Sequence, residues 1–336
     1  MITIDNLLPA GFRESSLRSD VATGLTATPK WLPPKWFYDA EGSALFEKIT
    51  ELPEYYPTRA ERAILRAASG QIAVASRAGT LVELGSGSSE KTRLLLDALL
   101  AGGTLLRYVP VDVSESALRA AGSAVDSEYP GLDVRGVVAD FDAYLGLGAS
   151  APGSGASPGS GDGAGPRLVA FLGSTIGNMM PAERAVFLSR VRSALRPGDA
   201  FLLGTDLVKD PSVLIAAYDD PSGVTAAFNK NVLSVLNASL GADFVLDAFD
   251  HVAVWDAEAE WMEMRLRSAV AQRVRVPGAG LTVSFEAGED IRTEVSAKFR
   301  RDGVAAELAA AGLEMRSWWT DAACRFGLSL SVPSDG

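Results

Sequence analysis

The chain has 336 residues, of which 47% are hydrophobic and 22% are charged, and its formal net charge is −11 at pH 7. This composition predicts a soluble globular protein long enough for two domains, and the acidic charge argues against a nucleic-acid partner, which would need a basic face. The single cysteine, Cys324, excludes an internal disulfide and fits a reducing compartment. The amino terminus lacks a basic start followed by an apolar segment, and no run of about 18 apolar residues occurs. We therefore expect a cytoplasmic protein that has no membrane span and binds a small molecule. The sequence leaves the oligomeric state open, and a monomer is the default expectation.

Helical and strand patterns alternate from residue 60 to about 205, which is typical of a parallel α/β sheet. The first helix begins at a capping box formed by Thr58 and Glu61. Two further strand patterns near the end of the chain are joined by a tight turn. We predict an α/β fold with a seven-stranded sheet that has one antiparallel edge strand. Its strands are predicted at residues 81–84, 108–113, 134–139, 168–172, 200–203, 313–321 and 325–332.

Two regions interrupt this alternation and predict a second domain. Residues 1–57 are rich in aromatic residues and proline, and residues 206–297 carry a long helical pattern followed by extended runs. We predict that these regions form an α+β substrate-binding cap, and that residues 58–205 plus 298–336 form the ligand-binding domain with the sheet. Residues 149–165 are almost entirely Gly, Ser, Ala and Pro, which predicts a flexible loop at the edge of the sheet opposite the ligand.

A glycine loop follows the first strand of the predicted sheet. LVEL leads into Gly85-Ser86-Gly87 and then into a helix that begins near Glu90. The glycines let the backbone approach a ligand, and the helix amino terminus favours polar or anionic groups. Glu90 holds the place of the third glycine of a dinucleotide fingerprint. This difference argues against a pyrophosphate ligand and against a nicotinamide-dependent dehydrogenase.

Acidic residues end the next two predicted strands. Asp112 lies where a carboxylate commonly accepts hydrogen bonds from ribose hydroxyls. Asp140 and Phe141 end the third strand, and a carboxylate beside an aromatic ring suits an adenine. A sulfonium has no phosphate and is stabilised by carboxylates such as Glu83 near the loop. These features predict S-adenosylmethionine as the cofactor, and the sheet with its terminal hairpin resembles that of the class I methyltransferases.

Four longer motifs make the interpretation more specific. They are WFYDAEGSALFEKITELPEYYPTRAE at 36–61, FLGSTIGN at 171–178, AAYDDPSGVTAAFNKNVLSVLN at 216–237 and IRTEVSAKF at 291–299. In this order they resemble the histidine-specific Nα-methyltransferases of ergothioneine biosynthesis, which convert histidine into its trimethylated betaine, hercynine. The resemblance extends over most of the chain, and the insert at 149–165 is its clearest departure from the family.

The resemblance also implies which residues bind each ligand. For S-adenosylmethionine it implies contacts at Gly85, Lys91, Asp112, Asp140 and Phe141. For L-histidine it implies Tyr55, Gly173, Asn178, Tyr218, Glu294 and Ser296, with Tyr38, Phe46 and Met264 lining the pocket. No metal is expected, because methyl transfer from a sulfonium requires only a neutral amine with a free lone pair.

The residue types suit this chemistry. Tyr55, Asn178 and Tyr218 are neutral donors for the carboxylate of the substrate, and they leave the nitrogen free of a rigid ion pair. The rings of Tyr38 and Phe46 tolerate a growing methylammonium through cation–π contact. We assign catalytic roles to Tyr38, whose hydroxyl is a candidate for amine deprotonation, and to Asn178.

Glu294 and Ser296 are two residues apart in a strand-like run, so both side chains point to one face. Glu294 can accept a hydrogen bond from one imidazole nitrogen, while Ser296 can donate or accept at the other. An amino acid without this ring would leave buried polar groups unpaired. The pair therefore predicts selection of histidine by its side chain.

Other interpretations stay open at the level of the sequence. The same chemistry on tryptophan or tyrosine is one alternative, and a non-catalytic protein that binds S-adenosylmethionine is another. Asn178 alternatively caps the helix that begins near Pro181. His251, the only histidine, is interpreted as a structural polar residue, and Cys324 has no nearby base in the sequence that would activate a thiol.

Overall fold

The structure is a computed structural model and describes residues 2–140 and 165–334. Its helices in these ranges are α1 (Phe12–Thr26), α2 (Ala40–Glu51), α3 (Pro57–Ser76), α4 (Arg93–Ala101), α5 (Glu115–Glu128), α6 (Pro181–Ala194), α7 (Pro211–Tyr218), α8 (Val224–Leu240) and α9 (Arg301–Ala310). None of these described helices is both long and apolar enough to pass through a lipid bilayer.

The strands in the same ranges are β1 (Thr3–Asn6), β2 (Lys30–Trp31), β3 (Thr80–Leu84), β4 (Arg107–Asp112), β5 (Asp133–Val138), β6 (Arg167–Phe171), β7 (Ala200–Asp206), β8 (Phe249–Asp256), β9 (Trp261–Ser268), β10 (Gln272–Val276), β11 (Leu281–Phe285), β12 (Asp290–Ala297), β13 (Leu313–Thr320) and β14 (Phe326–Pro333).

The chain divides into two compact units. Unit 1 comprises Met1–Leu8, Arg59–Leu207 and Phe299–Gly336, and unit 2 comprises Pro9–Thr58 and Val208–Lys298. Each unit has its own hydrophobic core. The insert at 149–165, except for Gly165, lies outside the described residues.

Unit 1 contains a sheet in the order β1-β5-β4-β3-β6-β7-β14-β13. The five parallel strands predicted from the sequence and the terminal hairpin are all present. The antiparallel strand, however, is not at the edge as predicted: β14 lies between β7 and β13 and is antiparallel to both. The second strand of the hairpin, β14, therefore pairs with β7, and the first strand, β13, forms the edge of the sheet.

The sheet has an eighth strand that the sequence analysis did not predict. The predicted cap includes residues 1–57, whereas β1 pairs in parallel with β5 at the far edge of the unit 1 sheet. The four residues of this strand lack the apolar run that identifies a buried strand. Gly122 makes room for the segment, since a Cβ atom there would lie 2.2 Å from Cδ1 of Ile2.

The register of the parallel strands places their carboxyl ends side by side. Leu84 is paired with Val111 on one side and with Phe171 on the other, and Asp112 is paired with Val138. The loops after β3, β4, β5 and β6 therefore leave the sheet at one edge, which is where open α/β sheets bind ligands.

Unit 2 is built on a sheet in the order β2-β12-β9-β8, with a separate hairpin of β10 and β11. Helices α1, α2, α7 and α8 contribute buried residues to its core. Strand β12 has a bulge at Thr293, after which Glu294 pairs with Met264 and Ser296 with Met262 on β9. This register places Glu294 and Ser296 directly opposite Met264 and Met262.

Candidate functional site

The glycine loop after β3 is held in a conformation that leaves one side open. Gly85 (φ 66°), Gly87 (φ 47°) and Ser89 (φ 55°) all have left-handed backbone angles, so the helix α4 starts only at Arg93 and not near Glu90 as predicted. A Cβ atom at Gly87 would meet no other atom within 4 Å.

Ser86, the middle residue of this loop, has a buried hydroxyl without a partner among the described residues. A buried unpaired hydroxyl is costly unless a ligand satisfies it. The open face at Gly87 and this orphan hydroxyl fit a polar ligand on the loop.

Asp112 connects the end of β4 to this loop. Its Oδ2 accepts from the Gly87 amide at 3.2 Å, and its Oδ1 accepts from the Ser114 amide at 3.0 Å. Burial raises the pKa of Asp112, while these amide hydrogen bonds lower it. A carboxylate has about four acceptor positions, so Asp112 keeps capacity for two ribose hydroxyls.

Glu83 lies beneath the glycine loop, and both oxygens of its carboxylate accept hydrogen bonds from other side chains of the protein. Its carboxylate accepts hydrogen bonds from the hydroxyls of Thr92 and Tyr108. Burial raises the pKa of Glu83 to about 7, against the effect of these hydrogen bonds and of the nearby Lys91 charge. The hydroxyl of Tyr108 is also 2.8 Å from Oγ of Ser89. Glu83 therefore supports the loop from below, a role different from the sulfonium contact inferred from the sequence.

Lys91, Gly173 and Glu61 form a second group in unit 1. Lys91 Nζ donates to the Glu61 carboxylate, and the Gly173 amide donates to Oε1 of Glu61 at 2.8 Å. Glu61 is fully buried. The sequence analysis assigned Glu61 to a capping box with Thr58, but both carboxylate oxygens serve this group instead. The structure thus brings together two residues implied as ligand contacts, and Glu61 is the member that the sequence analysis missed.

Two further predicted residues follow strands of the same sheet. Asp140 is buried beyond β5, while Phe141 lies outside the described residues. Asn178 ends a 3₁₀ turn, Thr175–Asn178, that follows β6. The amino-terminal cap of α6 is Met180, so Asn178 is not the helix cap that the alternative interpretation required. Its half-buried amide has no hydrogen-bond partner in the described ranges and is available to a ligand.

Unit 2 contains an aromatic cluster made of Tyr38, Phe46, Tyr55 and Phe228. The ring centroids of Tyr38 and Phe46 are 5.6 Å apart, and those of Phe46 and Tyr55 are 6.1 Å apart, both in edge-to-face geometry. Phe228 on α8 lies 5.5 Å from Tyr38 and 5.9 Å from Phe46. Edge-to-face packing leaves ring faces for other contacts. The helical pattern of α8 does not distinguish Phe228 from other buried residues, so the sequence analysis missed it.

Glu294 and Ser296 lie on β12, and Met264 on β9 is paired with Glu294. Burial raises the pKa of Glu294 to about 7, and the positive charge of Lys298 acts in the other direction. Ser296 Oγ accepts from Oη of Tyr218 at 2.7 Å and from Nζ of Lys298 at 2.7 Å. The sequence analysis assigned Tyr218 as a donor to the substrate carboxylate, but its hydroxyl hydrogen is directed to Ser296. Lys298 was not identified at all.

A buried hydrogen-bond network supports these residues from behind. Asn229 on α8 accepts from the Thr293 hydroxyl at 2.6 Å, and its amide lies 2.8 Å from Nδ1 of His251. His251 Nε2 lies 2.8 Å from the Tyr218 carbonyl oxygen. These contacts define a neutral imidazole that donates from Nε2 and accepts at Nδ1, and burial lowers the pKa of His251. The geometry agrees with the interpretation of His251 as a structural residue, and it fixes the end of α7 relative to the bulge in β12.

The strand order of unit 1, with an antiparallel strand between the last parallel strand and the edge, is that of the class I methyltransferases. The glycine loop and the acidic residues that follow β4 and β5 lie at the same edge of this sheet. The chain belongs to the family of histidine-specific, S-adenosylmethionine-dependent methyltransferases, whose model matches residues 17–333. The family resemblance found in the sequence is thereby confirmed.

The chain is similar to curated members of this family along nearly its whole length. It is 56% identical to histidine N-alpha-methyltransferase of Mycolicibacterium smegmatis, over 98% of this chain and 99% of the relative. It is 55% identical to the protein of the same name from Mycobacterium tuberculosis, with the same coverage. Among solved structures, an S-adenosylmethionine-dependent methyltransferase from Clostridium acetobutylicum is 12% identical, with a TM-score of 0.46, covering 86% of this chain and 98% of that chain.

Proposed function

We propose that the protein transfers three methyl groups from S-adenosylmethionine to the α-amino nitrogen of L-histidine, giving hercynine in ergothioneine biosynthesis. Membership of the histidine-specific family supports the reaction. The observation that carries the choice of substrate is the pairing of Glu294 and Ser296 on one face of β12, a carboxylate and a hydroxyl spaced for the two nitrogens of an imidazole. We also propose that the enzyme is a cytoplasmic monomer.

We propose that Gly85, Lys91, Asp112, Asp140 and Phe141 hold the cofactor, which supplies an electrophilic methyl group on its sulfonium. The left-handed backbone at Gly85 lets the chain approach this ligand closely. Asp112 contributes acceptor positions for ribose hydroxyls while its amide contacts keep the loop in place. Lys91, fixed by the buried Glu61, is held rigidly beside Gly173.

We propose that histidine is recognised at both ends by mostly neutral groups. Tyr55, Gly173 and Asn178 are the proposed contacts for the amino-acid end, and Tyr218 acts through Ser296 at the ring end. Met264 lies opposite Glu294 and limits the space beside the ring. Holding two reactants in alignment contributes about 7 to 11 kcal/mol to a bimolecular reaction.

The nitrogen must be a neutral amine before each transfer and becomes a permanent cation after the third. A fixed ion pair at the nitrogen would obstruct this progression, whereas aromatic rings accept a cation of increasing size. We propose that Tyr38 and Phe46, backed by Phe228, stabilise the methylated nitrogen by about 0.5 to 2 kcal/mol through cation–π contact. The hydroxyl of Tyr38 is the proposed acceptor for the amine proton.

Methylation of tryptophan or tyrosine is the second candidate function. An indole or a phenol leaves either Glu294 or Ser296 without a partner, and sites built around substrate hydrogen bonds reject such analogues by about 10⁴-fold. The pair of polar residues therefore favours histidine.

The test is to incubate the purified protein with S-adenosylmethionine and each amino acid separately and to measure mass gains. Histidine is expected to gain three methyl groups. Glu294→Ala should impair histidine turnover, while Glu258→Ala, at an exposed position on the β8–β9 turn of the same unit, is the matched control and should not. Methylation of tryptophan or tyrosine in preference to histidine would support the second candidate. Cofactor binding without a methylated product would indicate a non-catalytic protein.

A further inference from the structure

Lys298 makes two hydrogen bonds in the ring-binding part of unit 2. Its Nζ donates to Oγ of Ser296 at 2.7 Å and to Oη of Tyr218 at 2.9 Å, and it lies 4.7 Å from the centroid of the Tyr218 ring. Tyr218 Oη in turn donates to Ser296 Oγ at 2.7 Å. All three side chains are buried, so water does not compete for these hydrogen bonds.

The hydrogen-bonding capacity of Ser296 is therefore almost used up. A serine hydroxyl has two acceptor positions and one hydrogen to donate. Lys298 and Tyr218 occupy both acceptor positions. Only the hydrogen remains, and within residues 2–140 and 165–334 no acceptor receives it from Ser296. Toward a ligand, Ser296 can only donate.

We propose that Lys298 is a specificity-determining positioning residue, which together with Tyr218 makes Ser296 an obligate donor beside the acceptor Glu294. This proposal rests on the proposed function, because the ligand in question is the histidine side chain. The pair then accepts a ring that has one N–H and one bare nitrogen, which is the neutral imidazole in a single tautomer. A protonated ring would bring a second N–H to an oxygen that already receives two donors.

The charge of Lys298 acts in the same direction. Its proximity to Glu294 favours the ionised carboxylate against the effect of burial. An ionised Glu294 can only accept hydrogen bonds. Lys298 therefore favours the acceptor state of Glu294 and also restricts Ser296 to donating.

The experiment compares histidine with two pyrrolylalanine isomers, 2-pyrrolyl and 3-pyrrolylalanine. Each isomer keeps a ring N–H but replaces the bare nitrogen with C–H, so that Ser296 loses its acceptor. Dissociation constants are measured by calorimetry on the complete protein with S-adenosylhomocysteine present, and kcat/KM is measured for methylation. We expect the wild-type protein to prefer histidine over the better isomer by about 10- to 100-fold, which is the cost of a buried donor left unpaired.

In Lys298→Met this preference should fall about tenfold, because Ser296 regains an acceptor position and can receive the N–H of the isomer that directs it toward Ser296. Lys298→Arg keeps a donor for Ser296 and should restore most of the preference. In Ser296→Ala the preference is already lost, so adding Lys298→Met should change it no further. Tyr218→Phe also returns one acceptor position to Ser296, so the preference should fall in this variant as well.

A purely structural role for Lys298 predicts a different result. It would weaken binding of histidine and of the pyrrole analogues by the same factor in Lys298→Met, and that outcome would overturn the proposal. Cofactor affinity reports on unit 1 alone, so urea denaturation shows whether unit 2 of each variant is folded. If Lys298→Met is unfolded, the comparison of Lys298→Arg, Ser296→Ala and Tyr218→Phe is decisive. Absence of any methylated histidine from the wild-type protein would reject the proposed function, while the binding preference would still test the role of Lys298.

Discussion

Replacing Glu294 with glutamine is expected to stabilise unit 2 at neutral and alkaline pH while weakening the recognition of histidine. Burial raises the pKa of Glu294 from the ordinary value of 4.5 to about 7. A carboxyl group with a raised pKa in the folded state favours folding below its unfolded pKa, and this contribution is lost as the pH rises through the folded pKa. Above pH 7 the folded protein carries an ionised carboxylate in a poorly solvated place. Glutamine has nearly the same shape and no charge.

The expected magnitude follows from this shift. A rise from 4.5 to about 7 corresponds to at most about 3.5 kcal/mol, at about 1.4 kcal/mol for each pKa unit. Part of the Glu294 surface remains accessible to water, and screening reduces the effect, so we expect about 1 to 3 kcal/mol. Exchanging an acceptor with a full charge for a neutral amide oxygen should weaken histidine binding by about 5- to 10-fold.

The assay is urea denaturation of the wild-type protein and of Glu294→Gln from about pH 4 to about pH 9. The difference in the free energy of unfolding should be close to zero at the acidic end, increase between pH 4.5 and 7, and then level off. Glu258→Gln, at an exposed position, should show no such dependence on pH. A difference that stays constant over the whole range, or a variant that is less stable above pH 7, would refute the reasoning.

Three further predictions concern other parts of the molecule. Asp112→Ala removes the acceptor for two loop amides and should weaken S-adenosylmethionine binding by about 10- to 100-fold, measured by calorimetry; unchanged affinity would exclude Asp112 from the cofactor site. Gly204→Ala places a Cβ atom 2.3 Å from Oε1 of Glu61 and should lower the melting temperature, whereas Gly70→Ala, in open space on helix α3, should raise stability by about 0.5 to 1 kcal/mol. His251 stays neutral in the fold because burial lowers its pKa, so the stability it contributes is present above about pH 6.5 and decreases as the pH falls below that value. His251→Phe should abolish this pH dependence of the free energy of unfolding, and it should cost about 1 to 3 kcal/mol at neutral pH because two buried partners lose their hydrogen bonds. An unchanged pH profile in the variant would contradict this prediction.

The ligand edge of unit 1 was predictable from the sequence because it depends on a rule of topology. Parallel strands end at a common edge, so Gly85, Asp112 and Asp140 are brought to it by strand order alone. Strand β1 was not predictable in this way. Its four residues carry no buried run, and its place depends on the contact of Ile2 with the gap at Gly122. The role of Glu61 was not predictable either, because a capping box depends only on residues at the start of one helix. In the structure its carboxylate instead accepts from Lys91 and Gly173, which are distant in sequence.

The residues of unit 2 that we propose for recognition of the imidazole ring were predictable in part. Glu294 and Ser296 share a face through the spacing of two, and continuing that spacing would have reached Lys298. Lys298 lies within the motif IRTEVSAKF, but the family resemblance assigns it no role. Asn229 and Thr293 carry no local signal, since an asparagine in a helix and a threonine in a strand are common, and a bulge is fixed by pairing with a distant strand.

The position of β14 has a consequence for how the chain folds during synthesis. Because the strand that pairs with β7 is formed by Phe326–Pro333, the unit 1 sheet is complete only after this late segment of the chain has left the ribosome. Until then β7 presents an unpaired edge, which is a surface on which nascent chains associate with one another. A stop codon directly after Arg325 would therefore leave β7 without its neighbour, and we expect such a truncated product to aggregate or to be degraded.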